Sequence, residues 1–385
     1  MSSNHSDEIN LLAELVKIES INKHLVPDSK GVTEISEYIK EHLDNLGLET
    51  SIQRVDNERQ NTIGILRGTG KGNKLILNGH MDTVGTHFMT IDPLKPEIKD
   101  GKLYGRGSCD MKSGIAAQLT AIKHIVEQGI KLKGDIIFTA VCDEEYSQKG
   151  TTKVLEEYSG DAAIVGEPSR LQLKIAQKGF VGFNVTTKGN AIHTARWYDG
   201  VDAITKMGKI LVEYDKIDNK LKETPHHLTG PGSVHASIIK GGQEISSYPE
   251  ECLASFVRWF TPGLTIEDMH AELESLLSSI GEVDPEFTAS YEQILARSSH
   301  ELSTDSPFCR LFSRVLLDAG VEPVFSAGFA WDESGLFAEK GIPVVSFGPK
   351  GEGAHGNVEW VDVDSVKVAT QVYESIIREF CGVND

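Results

Sequence analysis

Histidine, aspartate and glutamate gather in five short clusters along this chain, each beside a glycine or at the end of an apolar run. The first is Gly79-His80-Met81-Asp82, directly after Leu75-Ile76-Leu77. A neutral imidazole is a good ligand for zinc, and a carboxylate two residues on can orient the ring through its other nitrogen. The second, Gly105-Arg106-Gly107-Ser108-Cys109-Asp110-Met111-Lys112, delivers Asp110 on a glycine-rich turn. Cys142-Asp143-Glu144-Glu145, Gly166-Glu167-Pro168 and Gly353-Ala354-His355-Gly356 complete the set. Taken singly, each has an ordinary explanation: an acidic triplet is usually a solvated turn, and a lone aspartate a helix cap. Taken together they bring two histidines and several carboxylates to the ends of successive apolar runs. Such a mixed nitrogen and oxygen set fits a pair of hydrolytic divalent ions roughly 3.5–4 Å apart, with one carboxylate bridging.

These clusters need a scaffold, and the apolar pattern supplies one. Ile9, Leu12 and Val16 make a helical stripe, as do Val32, Ile35, Ile39, Leu43 and Leu46, closed by Gly47. Leu75–Leu77, Ile136–Phe138, Ala162–Val165 and Val344–Phe347 read as short buried strands, with a helix around Ile115–Val126 between the first two. This alternation predicts an α/β unit with a mostly parallel sheet covered by helices. After about Ile175 the pattern changes to the alternation of Val181, Phe183 and Val185, with a helix over 203–214, strands over 234–239 and 252–260, and a helix capped by Thr265. A smaller α+β unit inserted at 177–299 into a catalytic unit of 1–176 and 300–385 accounts for both halves. Ser306-Pro307 opens a further helix and Val366–Phe380 forms the last.

Composition sets the outer bounds. With 57 acids against 38 bases among 385 residues, the net charge of −19 argues against nucleic acid and anionic membrane as partners. No apolar run approaches the roughly 18 residues of a membrane span, and Met1–Glu8 is polar where a secretory signal would be apolar. Five scattered cysteines with no C-x-x-C pair suit a reducing, cytoplasmic setting. Gly68-Thr69-Gly70-Lys71-Gly72 lacks the Ser or Thr of a phosphate loop and reads as a hairpin turn. His226-His227, near Pro225 and Pro231, reads as surface, and Cys109 as packing.

The motifs Gly-His-Met-Asp-Thr-Val at 79–84, Gly-Arg-Gly-Ser-Cys-Asp-Met-Lys at 105–112 and Asp-Glu-Glu at 143–145 resemble the dizinc aminoacylase/carboxypeptidase family. That family includes acetylornithine deacetylase, succinyl-diaminopimelate desuccinylase, bacterial glutamate carboxypeptidase and aminoacylase, and the likeness runs from about Leu11 to Phe380. The resemblance implies that His80 and Glu167 bind one ion, His355 and Glu145 the other, and that Asp110 bridges them. It also implies that Asp82 holds the His80 imidazole and that Glu144 is the general base. His193, in Gly189-Asn190-Ala191-Ile192-His193, matches a histidine of the inserted lid that reaches the partner subunit's site in a homodimer. Arg258 is a candidate clamp for a substrate carboxylate, and Asp332 a candidate near the substrate-facing loop. Glu244–Pro249, Val257-Arg258-Trp259 and Asp202 depart from the family pattern, which bears on the substrate and not on the chemistry. The implied activity is metal-dependent amide hydrolysis releasing an acyl group from an N-acyl amino acid, as in acetylornithine deacetylase. Zinc is the expected ion, with cobalt or manganese as substitutes. Glu167 favours a deacylase, because relatives with aspartate there tend to be aminopeptidases. The rivals are a metallo-carboxypeptidase or dipeptidase on the same site and, from another class, a binding protein that has lost turnover. The implied lid would hinge near Ala176 and His300.

Overall fold

The computed structural model describes residues 6–328 and 331–384; the first five residues of the acidic N-terminal segment lie outside it. Contacts divide the chain into two compact units, Met1–Ile175 with Leu302–Ser326 and Asp332–Asp385, and Ala176–Glu301 with Ala327–Trp331.

In the first unit the strand Leu75–His80 is flanked by Ile136–Val141 and Ala162–Val165, both parallel to it. Val344–Ser346 extends the parallel set beyond Ala162–Val165. These three central strands are buried on both faces, which is why their residues are apolar without alternation. Two strands that hydrophobic runs do not reveal, Glu49–Arg54 and Gln60–Leu66, continue the sheet in antiparallel fashion beyond Ile136–Val141. The predicted hairpin at Gly68–Gly72 is therefore not one: Gln60–Leu66 and Leu75–His80 both pair with Ile136–Val141, which lies between them.

The helix Lys112–Glu127 packs against Asp7–Lys17 and Val363–Cys381, and its first turns are buried throughout. The helix Thr33–Asn45 ends just before Gly47, whose φ of +79° is the left-handed stop expected of it. Ser306 caps the helix Pro307–Asp318, and Asp362 caps the last helix three residues earlier than the apolar stripe predicts. A small antiparallel sheet joins Gly351–Glu352, Trp360–Asp362, Lys102–Tyr104 and Glu97–Lys99. It fixes the two loops that follow Tyr104 and Glu352 side by side.

The second unit is a four-stranded antiparallel sheet in the order Ser233–Gly241, Glu251–Phe260, Gly179–Lys188, Thr288–Arg297. Alternate residues of Glu251–Phe260 are buried. They form one core with Val181, Phe183 and Val185 and with the helices Ala203–Leu221 and Ile266–Val283. Thr265 and Asp268 make a reciprocal capping box at the start of the second helix. Among the described residues no helix is long and apolar enough to cross a membrane, and all five cysteines are free and buried.

Candidate active site

The ends of the parallel strands converge in the first unit, and the loops that follow them carry the acids and histidines. His80 is the last residue of its strand; its Nδ1 meets the main-chain oxygen of Asp82 at 2.9 Å. A carbonyl only accepts, so Nδ1 carries a proton, and in the neutral ring Nε2 would present a lone pair. That lone pair faces two carboxylates, Asp110 Oδ1 at 3.1 Å and Glu167 Oε1 at 3.5 Å. Across Asp110, His355 Nε2 lies 3.5 Å from Asp110 Oδ2 and 2.9 Å from Glu145 Oε2. Donor atoms of His80, Asp110 and Glu167, of Asp110, Glu145 and His355, and of His80, Glu144 and Glu145 each lie within 4.8 Å of one another.

Acceptors facing acceptors in a buried site require positive charge between them, a proton or a cation. Both histidines and the acids around Asp110 register that demand. Burial works against the charged form of His80, yet its bond to Asp110 and the fields of Glu167 and Glu144 raise its pKa well above the ordinary imidazole value. His355 is pushed up to about 10 by its bonds to Asp110 and Glu145. Burial raises Glu144 and Glu167 well above the usual carboxylate range, Glu144 further through Glu167 and Glu145, Glu167 further through Asp110. Three carboxylates with two imidazoles, arranged as two triads sharing Asp110, fit a pair of divalent cations.

The supporting residues explain how the loops hold this shape. Asp82 differs from expectation. Its carboxylate is 3.9 Å from the His80 ring and accepts instead the main-chain N–H of Glu144 and of Glu145, each at 3.2 Å, and the Asn22 amide at 2.8 Å. The main-chain oxygen has taken the ring, which leaves the carboxylate to hold the acidic turn. Asp143, with φ of +70°, sits at the bend of that turn and pairs with Arg59 at 2.8 Å. Glu167 follows Gly166, whose carbonyl is so close to Gly114 that a Cβ there would lie 1.9 Å from it; only glycine lets the helix start approach. Glu333 is buried beneath the strand ends, accepts hydrogen bonds from Asn78 and Thr151, and is pushed up to about 7 by burial.

The remaining predicted residues are placed as follows. Asp332 is buried in the first unit, where its carboxylate accepts from Ser334 and, at 2.9 Å, from Ser346. Its oxygens thus hold both the turn after it and the strand Val344–Ser346. Arg258 also departs from expectation: it is 1 % exposed and its guanidinium meets Glu272 bidentately at 2.8 and 2.9 Å and the Trp259 carbonyl. The inward register of Glu251–Phe260 puts Arg258 on the core side of the second unit, where Glu272 neutralises it. His193 is exposed in the second unit, with Nδ1 accepting the Ala195 N–H at 3.1 Å. The other histidine pair, His226-His227, meets Glu301 at 3.2 and 3.1 Å. His226 Nδ1 accepts N–H groups from Leu228 and Thr229, so its Nε2 keeps a proton and donates to Glu301; this is a hydrogen-bonded tie and not a ligand set.

Sequence reasoning missed Glu359, Asn22 and Glu333. Glu359 is wholly buried and accepts from Arg106 and from the main chain of Gly107, Cys109 and Asp110. No local pattern marks it, since Val358-Glu359-Trp360 reads as an acid at the edge of a strand.

Comparison with known proteins gives the family and the fold. N-formyl-4-amino-5-aminomethyl-2-methylpyrimidine deformylase of Halalkalibacterium halodurans is 26% identical, over 92% of this chain and 91% of that protein. Acetylornithine deacetylase of Buchnera aphidicola is 26% identical over 96% of each. Among solved structures, a dinuclear metal binding peptidase of the M20 family from Bacillus subtilis superposes with a TM-score of 0.72 at 18% identity, over 96% of both chains. The family model for peptidase family M20/M25/M40 matches residues 76–379, most of the chain, and the chain belongs to that family.

Proposed function

We propose that this chain is a two-metal amide hydrolase that removes the acyl group from an N-acyl amino acid or a closely related small N-acyl amine. The observation that carries the proposal is the pair of triads sharing Asp110. His80, Asp110 and Glu167 would hold one ion, and Asp110, Glu145 and His355 the other. Two such cations, zinc by the mixed nitrogen and oxygen donor set, supply Lewis acidity toward the amide carbonyl and lower the pKa of a bound water. Glu144 stands beside the ligand Glu145 and has its own carboxylate left for proton transfer. It takes a proton from the attacking water and returns it to the departing amine. Asp82 keeps the turn of Glu144 and Glu145 rigid by accepting both of their N–H groups.

His193 is assigned to the oxyanion, reaching a partner subunit's site in a homodimer. Because its Nδ1 accepts a main-chain N–H, its proton resides on Nε2, the donor that an oxyanion requires. A deacylase is favoured over a dipeptidase by Glu167 and by the deformylase and deacetylase activities named for two relatives. The M20 peptidase of similar fold keeps the carboxypeptidase or dipeptidase reading as the rival. We place the reaction in the cytoplasm, since five free, buried thiols suit a reducing compartment.

A substrate panel on the metal-reconstituted protein, with released primary amine as readout, tests the proposal. N-acetyl and N-formyl amino acids should be turned over with kcat/KM at least about tenfold above unmodified dipeptides, a difference of about 1.4 kcal/mol in transition-state binding. The reverse ranking would favour the carboxypeptidase or dipeptidase, and no turnover together with no tightly bound divalent ion would favour the binding protein.

A further inference from the structure

We infer that Arg106 and Glu359 are positioning residues that assemble the metal centre from three separate loops, Glu359 by fixing Asp110 and Arg106 by fixing the His355 loop. The role rests on the two-ion function proposed above.

Glu359 uses both oxygens. Oε1 accepts the N–H of Cys109 at 2.9 Å and of Asp110 at 3.0 Å. Oε2 accepts the N–H of Gly107 at 3.0 Å and Arg106 Nη1 at 2.7 Å. The glycine-rich turn that carries Asp110 is thus wrapped around one carboxylate, with Gly107 at φ of +79° aiming its N–H inward. Arg106 extends the tie outward. Its Nη2 donates to Gly85 O and to Gly356 O, each at 3.1 Å. Gly85 lies in the loop that begins with His80 and Asp82, and Gly356 is next to His355. One buried ion pair therefore joins the loops bearing His80, Asp110 and His355, residues that sequence separates by up to 275 positions.

His355 depends on this tie more than its companions do. Its side chain is 55% exposed and its backbone has φ of +58°, uncommon for a residue with a Cβ. Neither glycine-rich neighbour, Gly353 nor Gly356, offers a side chain to pack. Besides the Arg106 bond to Gly356, the loop is held by Thr90 N on Asn357 O at 2.9 Å. His80, by contrast, ends a fully buried strand.

The two residues therefore make different predictions. Glu359→Gln keeps the shape but aims an NH2 at two donors, loosening the Asp110 turn. As Asp110 is shared, both ions should weaken. Arg106→Lys keeps the charge beside Glu359 but cannot also reach Gly85 O and Gly356 O. The ion at Glu145 and His355 should weaken while the ion at His80 and Glu167 stays. The test is zinc titration against a competing chelator on the full chain, with melting temperature read on the metal-free form. The expected wild-type result is two tight ions. Glu359→Gln should raise both dissociation constants by about tenfold to a hundredfold, and Arg106→Lys only one, the scale of residues that orient ligands. At saturating zinc kcat should recover with KM for substrate unchanged. Folded variants that bind both ions as tightly as wild type overturn the inference. So does loss of fold in both, which would make the pair a support of the fold alone. If only Glu359→Gln fails to fold, the Arg106→Lys titration decides. A wild-type chain that binds no divalent ion instead refutes the two-ion function on which the inference rests.

Discussion

Glu144 and Glu145 are neighbours with the same side chain and different surroundings. Glu145 faces His355 at 2.9 Å and shares its triad, whereas Glu144 is near His80 and Glu145 and takes only a 3.3 Å bond from Gln148. Glu144→Gln is expected to bind both ions as wild type does and to lose activity by about 10²–10⁴-fold, the usual worth of a general base. Metal analysis beside steady-state kinetics reads this; retention of more than about a tenth of the turnover removes Glu144 from that role. At this scale the sequence was informative about which acids and histidines gather and silent about their supports. His80, Asp110, Glu144, Glu145, Glu167 and His355 all stand in recognisable turns, and the structure brings them together. The direction of a carboxylate is another matter. Asp82 sits two residues from His80, yet the turn gives its main-chain oxygen to the ring and its side chain to Glu144 and Glu145. Arg258 was legible as a cation on a strand, but its partner Glu272 comes from a helix fourteen residues on. Glu359 was hidden because its four donors lie about 250 positions earlier.

Among elements, burial on both faces made the central strands plain: runs such as Ala162–Val165 have one reading. Glu49–Arg54 and Gln60–Leu66 were not, because polar residues on a half-solvated edge and buried Gln60, Asn61 and Thr62 break the apolar signal. Those three polar side chains are satisfied internally, Asn61 by Gln53 and Gly150, and Gln60 and Thr62 by Ser36, pairings that no local window contains. In the second unit the helix Ala203–Leu221 is fastened near its start by Lys206, which meets Asp284 at 2.7 Å, joined by Lys209 at 2.6 Å. Bonds to Lys206 and then Lys209 lower the Asp284 pKa to about 2 from its ordinary 3.8. The folded value lies below the unfolded one, so the contribution is complete above about pH 4–5 and lost as pH falls toward 2. Asp284→Asn should destabilise the chain by about 1 kcal/mol near neutral pH, allowing for solvent screening. Denaturant melts at several pH values check this, and the gap between variant and wild type should close near pH 2. A gap independent of pH would place the effect in packing and not in charge.

For the whole molecule, the cluster of carboxylates and histidines around Asp110 in the first unit would link folding to cation supply. An ion that binds the folded chain alone stabilises it by about 2.7 kcal/mol at a hundred times its dissociation constant. Chelation should therefore lower the melting temperature by about 5 °C or more, and re-addition of zinc should restore it. A chain carrying Asp110→Asn should show little response to either step, and an equal response would locate the stabilising ion elsewhere.

The most direct measurement is anomalous diffraction at the zinc edge from crystals of the full chain grown with zinc. Two peaks are predicted, one bounded by His80, Asp110 and Glu167 and the other by Asp110, Glu145 and His355. No peak among these residues, or zinc bound only at another place, would contradict the two-ion centre.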